Sequence, residues 1–344
     1  MKIIDLFSGI GGFSLGFHRA GYQFTKHYFS EIDKHAIANY KYNFPNAKHI
    51  GDITTIQPAD LAGADVITFG SPCQDFSMAG RRAGLAGAKS SLIQYAITLI
   101  TDIRPSVFIW ENVKGAFSSN AGADFWAIIK ALTNIGGYTI EWQLLNTSWV
   151  LPQNRERIYL VGHLAGRSEP GVFPIGENDK LFKQETRKEN GEFPSIKTSP
   201  ARTITSRYHK MGSNDTYIIP KKAATLTGGG HSGGLHSDMT IIQINPSKES
   251  GGKQPYQQNR VFDEKGISPA LTRHNSDYAI SRMRRLTEIE CERLQGFPDN
   301  WTQYGNYNGT INPIAKAQRY KLIGNAVTVD IVELIAKRLK FIEQ

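Results

Sequence analysis

The sequence predicts an α/β fold in which a mostly parallel sheet carries helices on both faces. Short apolar runs alternate with amphipathic stretches over residues 1–165, as expected of parallel strands joined by crossover helices. A glycine-rich turn directly follows the first strand, as in sheets that bind nucleotides. A long polar stretch then interrupts this pattern before helical periodicity returns near residue 281.

Each element follows from its local pattern. The predicted strands are KIIDLF, KHYFSEI, DVITFG, SVFIWENV, TIEWQLLN and RIYLVGHL, and segments such as SSLIQYAITLI and ADFWAIIKALTNI are predicted helices. A short helix in RRLTEIECERLQGFPDNW is predicted to bury Cys291 and to end at Gly296 and Pro298. The last helix, VDIVELIAKRLKFI, is predicted to dock on the core through Ile331, Leu334, Ile335, Leu339 and Ile342.

The polar stretch predicts a second domain. It contains a weak repeat in which ARTIT leads to DTYII, AATLT to DMTII, and SPALT to DYAI. Each copy predicts a strand, a polar loop and a second strand, and plain β-hairpins would give the same pattern. We predict a first domain over residues 1–165, a β-rich insert over 166–280, and a return to the first domain over 281–344.

Composition narrows the class of protein. The formal charge of +9 and the pI near 9.4 suit a polyanionic partner such as a nucleic acid, although a solvated basic surface would have the same charge. No apolar run is long enough to span a membrane, and MKIIDLFSGIGGF does not have the pattern of a signal peptide. Two cysteines cannot form a disulfide framework, which favours the cytoplasm.

The turn DLFSGIGG after the first strand predicts a ligand site, because its glycines let backbone amides approach a bound molecule. Glu31 ends the next strand, and Asp52 in GDIT ends the apolar stretch after it. Acids at strand ends favour a cofactor that contains a nucleoside over a tight turn without a ligand. The third glycine of a dinucleotide-binding GxGxxG motif is missing.

The segment GSPCQDFS places Cys73 at the end of a predicted buried strand. A thiol is a poor nucleophile until it ionises, so an active one needs a base or positive neighbours. ENV puts Glu111 at the same sheet edge, and QNRER directs Arg155 and Arg157 toward it. The following MAGRRAGLAGAKSS could close over a substrate. We therefore predict that Cys73 is a nucleophile.

Seven segments in order resemble the motif series of the DNA (cytosine-5) methyltransferases of bacteria and phages. They are DLFSGIGGFSLGF, GDIT, GSPCQDFS, ENV, QNRERIYLVG, RRLTEIECERLQGFPD and QRYKLIGNAV, and they span the chain except for the insert. The resemblance implies a Rossmann-like, S-adenosylmethionine-dependent methyltransferase sheet with a small β-rich target recognition domain. It also implies base flipping, in which the target cytosine leaves the duplex and enters the active site.

In the mechanism that the resemblance implies, Cys73 attacks carbon 6 of the cytosine while Glu111 contacts the ring nitrogen edge. Arg157, with Arg155 near it, would stabilise the adduct and help to keep the thiol ionised. Carbon 5 then takes the methyl group of S-adenosylmethionine. The implied cofactor-site residues are Phe7, Gly9, Gly11, Glu31, Ile32, Asp52, Pro72 and Asn325. Ile32 stands where some relatives carry a tryptophan that stacks on adenine.

The resemblance implies double-stranded DNA as the partner, contacted by the segment after Cys73 and by the insert. The candidate DNA-binding residues are Arg81, Arg82, Lys89, Arg202, Thr203, Arg207, Thr225, Leu226, Arg260 and Arg273. Thr203 with Ile204 and Thr225 with Leu226 are alternative base-reading pairs, and each insert arginine could read a guanine or contact phosphate alone. The two histidines of GGGHSGGLHSD, without cysteines, do not predict a metal site.

The resemblance implies a monomeric, cytoplasmic modification enzyme of a bacterium or phage, either solitary or acting beside a restriction endonuclease. Two alternatives stay open at the level of sequence. One is an RNA cytosine methyltransferase of the same chemistry, against which the large insert argues. The other is a DNA-binding protein of the same fold without activity, against which the presence of Cys73, Glu111 and Arg157 argues.

Overall fold

The structure is a computed structural model that describes residues 1–71, 91–117, 122–176, 201–202, 217–218 and 284–342, with the backbone alone at residues 91, 201–202, 217–218 and 284–285. The chain divides into two compact units, Met1–Asn214 with Glu288–Gln344, and Asp215–Thr287. The domain boundaries read from the sequence stay a prediction.

The first unit is built on a seven-stranded sheet of order β3-β2-β1-β4-β5-β8-β6. Its strands are β1 (Lys2–Leu6), β2 (Lys26–Ser30), β3 (Lys48–His49), β4 (Val66–Gly70), β5 (Val107–Val113), β6 (Tyr138–Asn146) and β8 (Glu156–Leu164). Neighbouring strands are parallel from β3 to β5, and β8 runs antiparallel to both β5 and β6. The six predicted strands and the mostly parallel sheet are confirmed.

The helices cover both faces of this sheet. They are α1 (Gly12–Arg19), α2 (Lys34–Asn43), α3 (Ser91–Ile103), α4 (Ala123–Thr133), α5 (Glu288–Leu294), α6 (Lys316–Asn325) and α7 (Val329–Arg338). Because side chains alternate along a strand, successive residues enter different cores. Ile4, Ile67 and Phe108 pack with α3 and α4. Ile3, Val66 and Val107 pack with α1 and α7.

The chain's C-terminal helix ends earlier than its periodicity predicts. The predicted helix over residues 329–342 stops at Arg338, and the predicted core residue Ile342 is 40% exposed. Lys340–Phe341 forms a strand, β15, which pairs with β9 (Ser168–Glu169), and the Ile342 amide donates to the Arg167 carbonyl. This pairing with a distant strand replaces the last helical turn, so the assignment of Ile342 to the core was wrong.

Four short pairings complete the described structure. They join β10 (Ala201–Arg202) to β7 (Gln153–Asn154), β11 (Tyr217–Ile218) to β12 (Arg284–Arg285), β13 (Tyr304–Tyr307) to β14 (Thr310–Pro313), and β15 to β9. The described strands of the first predicted repeat, β10 and β11, therefore pair with other segments rather than with each other. The remainder of the predicted β-rich insert lies outside the described residues. No helix in the described ranges is long and apolar enough to cross a membrane.

Candidate active site

Among the residues that the structure describes, the predicted catalytic residues and the cofactor turn lie along one edge of the sheet, at the carboxyl ends of its parallel strands. β1 leads into the turn Phe7–Gly11, β2 into Glu31, and β4 into Ser71. β8 runs the other way, so its first residues reach the same edge. Arg157 in β8 therefore pairs with Val113 near the end of β5. The sheet direction, rather than nearness in sequence, collects these side chains.

The turn after β1 is shaped to expose backbone to a ligand. Phe7 and Gly9 both have φ of 52°, in the left-handed region that glycine adopts readily and phenylalanine does not. The Gly9 amide donates to Glu31 Oε2 at 2.9 Å. A Cβ built on Gly9 would meet nothing within 4 Å. The turn is thus held from behind by Glu31 and open in front, which fits a bound nucleoside-containing cofactor.

The other predicted cofactor residues surround this turn in different ways. Glu31 Oε1 accepts the amides of Ile32 and Asp33, at 2.8 and 2.9 Å, which orients the carboxylate. Ile32 itself is 74% exposed. Asp52 Oδ1 accepts the Thr54 amide at 3.0 Å and caps the short 3-10 turn that follows. Asn325 ends α6 and is exposed, and Pro72 lies outside the described residues.

A buried polar network that sequence reasoning missed lies beneath the turn. Asp5 has no exposed surface, and its carboxyl accepts hydrogen bonds from Thr68, Ser14 and Tyr40 at 3.0, 3.1 and 3.2 Å. His27 Nε2 lies 2.9 Å from the Ser14 hydroxyl and 2.7 Å from the Tyr40 hydroxyl. Burial raises the pKa of Asp5 to about 7 and lowers that of His27 to about 4. The network joins β1, β2, β4, α1 and α2 around the cofactor turn.

Glu111 and Arg157, both predicted to be catalytic, form a buried ion pair. Arg157 Nε lies 3.1 Å from Glu111 Oε1, and the two side chains are 15% and 11% exposed. Burial raises the pKa of the Glu111 carboxyl, while the charges of Arg157 and Arg155 oppose that rise. A carboxyl whose pKa is raised by burial gives up a proton less readily to water and is suited to exchange one with a bound base. Gly70, opposite Glu111 in the register, leaves room for that carboxyl, since a Cβ there would lie 3.2 Å from Glu111 Oε2.

Arg155, also predicted to be catalytic, reaches a different part of the fold. Its Nη2 donates to the Ala326 carbonyl at 2.7 Å, and its Nη1 to the Gly324 carbonyl at 3.4 Å. These carbonyls flank Asn325, so the arginine ties the start of β8 to a predicted cofactor residue. Gln153, a buried residue not singled out from the sequence, donates to the Leu294 carbonyl at 3.2 Å and anchors the same segment to α5.

Several predicted site residues lie outside the described part of the chain. They are Cys73, Arg81, Arg82, Lys89, Thr203, Arg207, Thr225, Leu226, Arg260 and Arg273. Arg202 lies in β10, and its backbone alone is described. Cys291 is fully buried in α5, as its predicted packing role requires. Among the described residues, no group of three or more His, Cys, Asp or Glu side chains could hold a metal ion.

Comparison with known proteins connects this arrangement to a family. A family model of C-5 cytosine-specific DNA methylases matches residues 1–341. The chain is 31% identical over 348 residues to the Type II methyltransferase M.HaeII of Haemophilus aegyptius, covering 97% of this chain and 91% of that protein. It is 30% identical over 344 residues to the Type II methyltransferase M1.ScrFI of Lactococcus lactis subsp. cremoris, covering 98% and 77%.

A solved structure has the same fold. The S. pombe Dnmt2 methyltransferase superposes with a TM-score of 0.61 at 19% identity, covering 97% of this chain and 96% of that one. At that identity the likeness concerns the fold alone. The family match, by contrast, runs through both the cofactor turn and the Glu111–Arg157 pair. The chain belongs to the C-5 cytosine-specific DNA methylase family.

Proposed function

We propose that this chain transfers the methyl group of S-adenosylmethionine to carbon 5 of a cytosine within a short double-stranded DNA sequence. The observation that carries the proposal is the buried Glu111–Arg157 pair at the carboxyl edge of the sheet. It lies on β5 and β8, and β4, the strand next to β5, leads to Cys73 two residues beyond Ser71. Family membership supports DNA as the substrate.

The reaction needs a nucleophile because carbon 5 of cytosine is not reactive by itself. In the proposed mechanism the thiolate of Cys73 forms a bond to carbon 6 of the flipped base, and the ring electrons make carbon 5 nucleophilic. Carbon 5 would then take the methyl group, and the sulfonium sulfur would keep the electron pair of the broken bond and leave as S-adenosylhomocysteine. Loss of the carbon 5 proton to solvent then breaks the bond between carbon 6 and sulfur and returns the thiolate.

Glu111 and Arg157 act on the charge that this addition creates. With its pKa raised by burial, the Glu111 carboxyl can donate a proton to the ring nitrogen as electron density builds there, and the carboxylate takes that proton back when the sulfur leaves. The Arg157 guanidinium stabilises the same density in a site shielded from water. Their ion pair also holds both side chains in place before the base arrives, which avoids reorganisation during the reaction.

The residues of the cofactor turn fit S-adenosylmethionine, which supplies an electrophilic methyl group when it is bound. A carboxylate has about four acceptor sites, and Glu31 uses three of them on backbone amides, leaving one for a ribose hydroxyl. Asp52 uses Oδ1 for its cap, and we assign Oδ2 to the adenine amino group. Ile32 offers an exposed apolar surface to the adenine face, and Phe7, Gly9, Gly11, Pro72 and Asn325 complete the proposed site.

The insert, residues 166–280, is proposed as the target recognition domain, with the candidate arginines and threonines on base edges and phosphates. We also propose that the protein acts as a monomer in the cytoplasm of a bacterium or phage-infected cell. Any restriction endonuclease with the same site would act without forming a stable complex with it. Light scattering on the purified protein should give a mass near 38.3 kDa, and a dimer mass would contradict the monomer.

The test of function uses unmethylated plasmid, tritiated S-adenosylmethionine and three proteins: wild type, Cys73→Ala and Cys291→Ala. Cys291 is the second cysteine and is buried in α5, which makes it the matched control. Wild type and Cys291→Ala should label DNA, and Cys73→Ala should not. Bisulfite sequencing of the plasmid should then show protected cytosines in one sequence context.

DNA carrying 5-fluorocytosine gives a second readout, because fluorine at carbon 5 cannot leave as a proton does and the adduct persists. Wild type should form a species on a denaturing gel that Cys73→Ala does not form. Labelling of DNA by Cys73→Ala would refute the covalent mechanism. Labelling of tRNA but not plasmid by the wild type would replace DNA with RNA as the substrate.

A further inference from the structure

The residue two positions before Cys73 is held by a buried hydrogen-bond arrangement that the mechanism above does not use. Ser71 is 6% exposed and directly follows β4. The Trp110 indole N–H donates to its hydroxyl oxygen at 3.0 Å, and Asn112 Nδ2 donates to the same oxygen at 3.4 Å. Asn112 is itself oriented, because its Oδ1 accepts the Val113 amide at 2.7 Å.

Side chains alternate along β5, so neighbouring residues of this strand contact different parts of the site. Trp110 and Asn112 are two residues apart and point to the same face, where both reach Ser71. Glu111 lies between them in sequence and points to the opposite face, where it pairs with Arg157. One strand therefore holds Glu111 on one side and the start of the Cys73 segment on the other.

These two hydrogen bonds fix the orientation of the Ser71 hydroxyl. A serine hydroxyl accepts about two hydrogen bonds and donates one. Both acceptor positions are taken by donors from β5, so its single proton is directed away from that strand. Trp110 is fully buried in the core with Phe108 and Leu160, so its N–H has a fixed position. A buried N–H without a partner is unfavourable, which makes the contact persistent.

We propose that Ser71 is a positioning residue for methyl transfer, which fixes the point where the chain leaves β4 on its way to Cys73. Two residues of chain span at most about 7 Å, so a shift at Ser71 is passed on to Cys73. Displacing a reacting group by about 1 Å can cost a hundredfold in rate. This inference rests on the proposed role of Cys73.

The test compares wild type, Ser71→Ala, Trp110→Phe and the double variant. The measurements are kcat and KM on unmethylated plasmid, the rate of adduct formation on 5-fluorocytosine DNA, and the Kd for S-adenosylmethionine. Each single variant should lower kcat and the adduct rate by about tenfold or more and leave the KM and Kd for S-adenosylmethionine within about twofold. The double variant should be no slower than the slower single one, because both changes remove the same hydrogen bond between Trp110 and Ser71.

Ser106→Ala is the matched control, since Ser106 is a buried serine at the other end of β5 and should leave kcat unchanged. An unchanged kcat in Ser71→Ala, or losses that multiply in the double variant, would overturn the inference. An equal loss in Ser106→Ala would also overturn it, because it would indicate a general weakening of the core. A wild type that labels no DNA and forms no adduct would overturn the proposed function, and the inference with it.

Discussion

Asp5 provides a stability prediction whose size can be worked from the structure. Its carboxyl is fully buried below the cofactor turn, and burial raises its pKa from 3.8 to about 7, although Thr68, Ser14 and Tyr40 donate hydrogen bonds to it. Asp5→Asn keeps the size of the side chain and removes the ionisation. The neighbouring hydroxyls can reverse their direction to meet the amide.

The magnitude follows from proton linkage. Between pH 4 and 7 the folded protein keeps a proton on Asp5 that the unfolded chain has released, so the free energy of unfolding falls as pH rises through this window. A shift of about 3 pKa units at about 1.36 kcal/mol per unit gives a loss of about 4 kcal/mol above pH 7. Asp5→Asn escapes this loss, so its stability relative to wild type should increase by up to that amount from pH 4 to pH 8.

His27 contributes with the opposite sign. Burial lowers its pKa to about 4, so the unfolded chain binds the extra proton between pH 4 and 6.5 and stability rises with pH there. In wild type the two trends oppose each other, and neither is visible by itself. Both proteins contain His27, so its contribution cancels when the variant is compared with wild type at each pH.

The assay is urea unfolding of both proteins at five pH values from 4.5 to 8.5, with Asp60→Asn, a change to an exposed carboxyl, as the control. The difference in unfolding free energy between Asp5→Asn and wild type should grow with pH and level off above about pH 7. A difference that stays constant within about 1 kcal/mol, or that shrinks as pH rises, would refute the reasoning.

Three further predictions follow from the site. Gly9→Ala should raise the Kd for S-adenosylmethionine about tenfold or more, because the added methyl occupies the open side of the turn. It should cost only about 1 kcal/mol of stability, since the φ of Gly9 is 52°. The control is Gly63→Ala, with φ of 73° and open space around it, which should cost similar stability and leave the Kd unchanged. Glu111→Gln should slow methyl transfer about a hundredfold and leave the Kd for S-adenosylmethionine unchanged. If the variant transfers methyl groups at the wild-type rate, Glu111 acts neither through its charge nor as a proton donor. Glu292→Gln should lower the free energy of unfolding by about 3 kcal/mol, because it removes the charge that Arg319 faces in a buried pair at 2.9 Å. A loss below about 1 kcal/mol, measured by urea unfolding, would contradict this prediction.

The sequence by itself determined the sheet and the ends of its strands. Each of β1, β4 and β5 is a local apolar run, and the residue that ends such a run must lie at the sheet edge whatever the rest of the chain does. The position of Glu111 and of the cofactor turn at this edge therefore follows from the sequence alone. The burial of Cys291 could be predicted in the same way, because it follows from the periodicity of its own helix.

Only the tertiary structure decided which partners those side chains have. Arg155 and Arg157 are two residues apart and look equivalent in QNRER, yet one binds the carbonyls of 324 and 326 and the other pairs with Glu111. The helix that stops before Ile342, and the bonds that hold Asp5 and Ser71, likewise depend on residues far away in the chain. Local pattern reports whether a residue is buried and on which face it points. The partner that satisfies a buried polar group comes from another element, and its identity is set by how those elements pack.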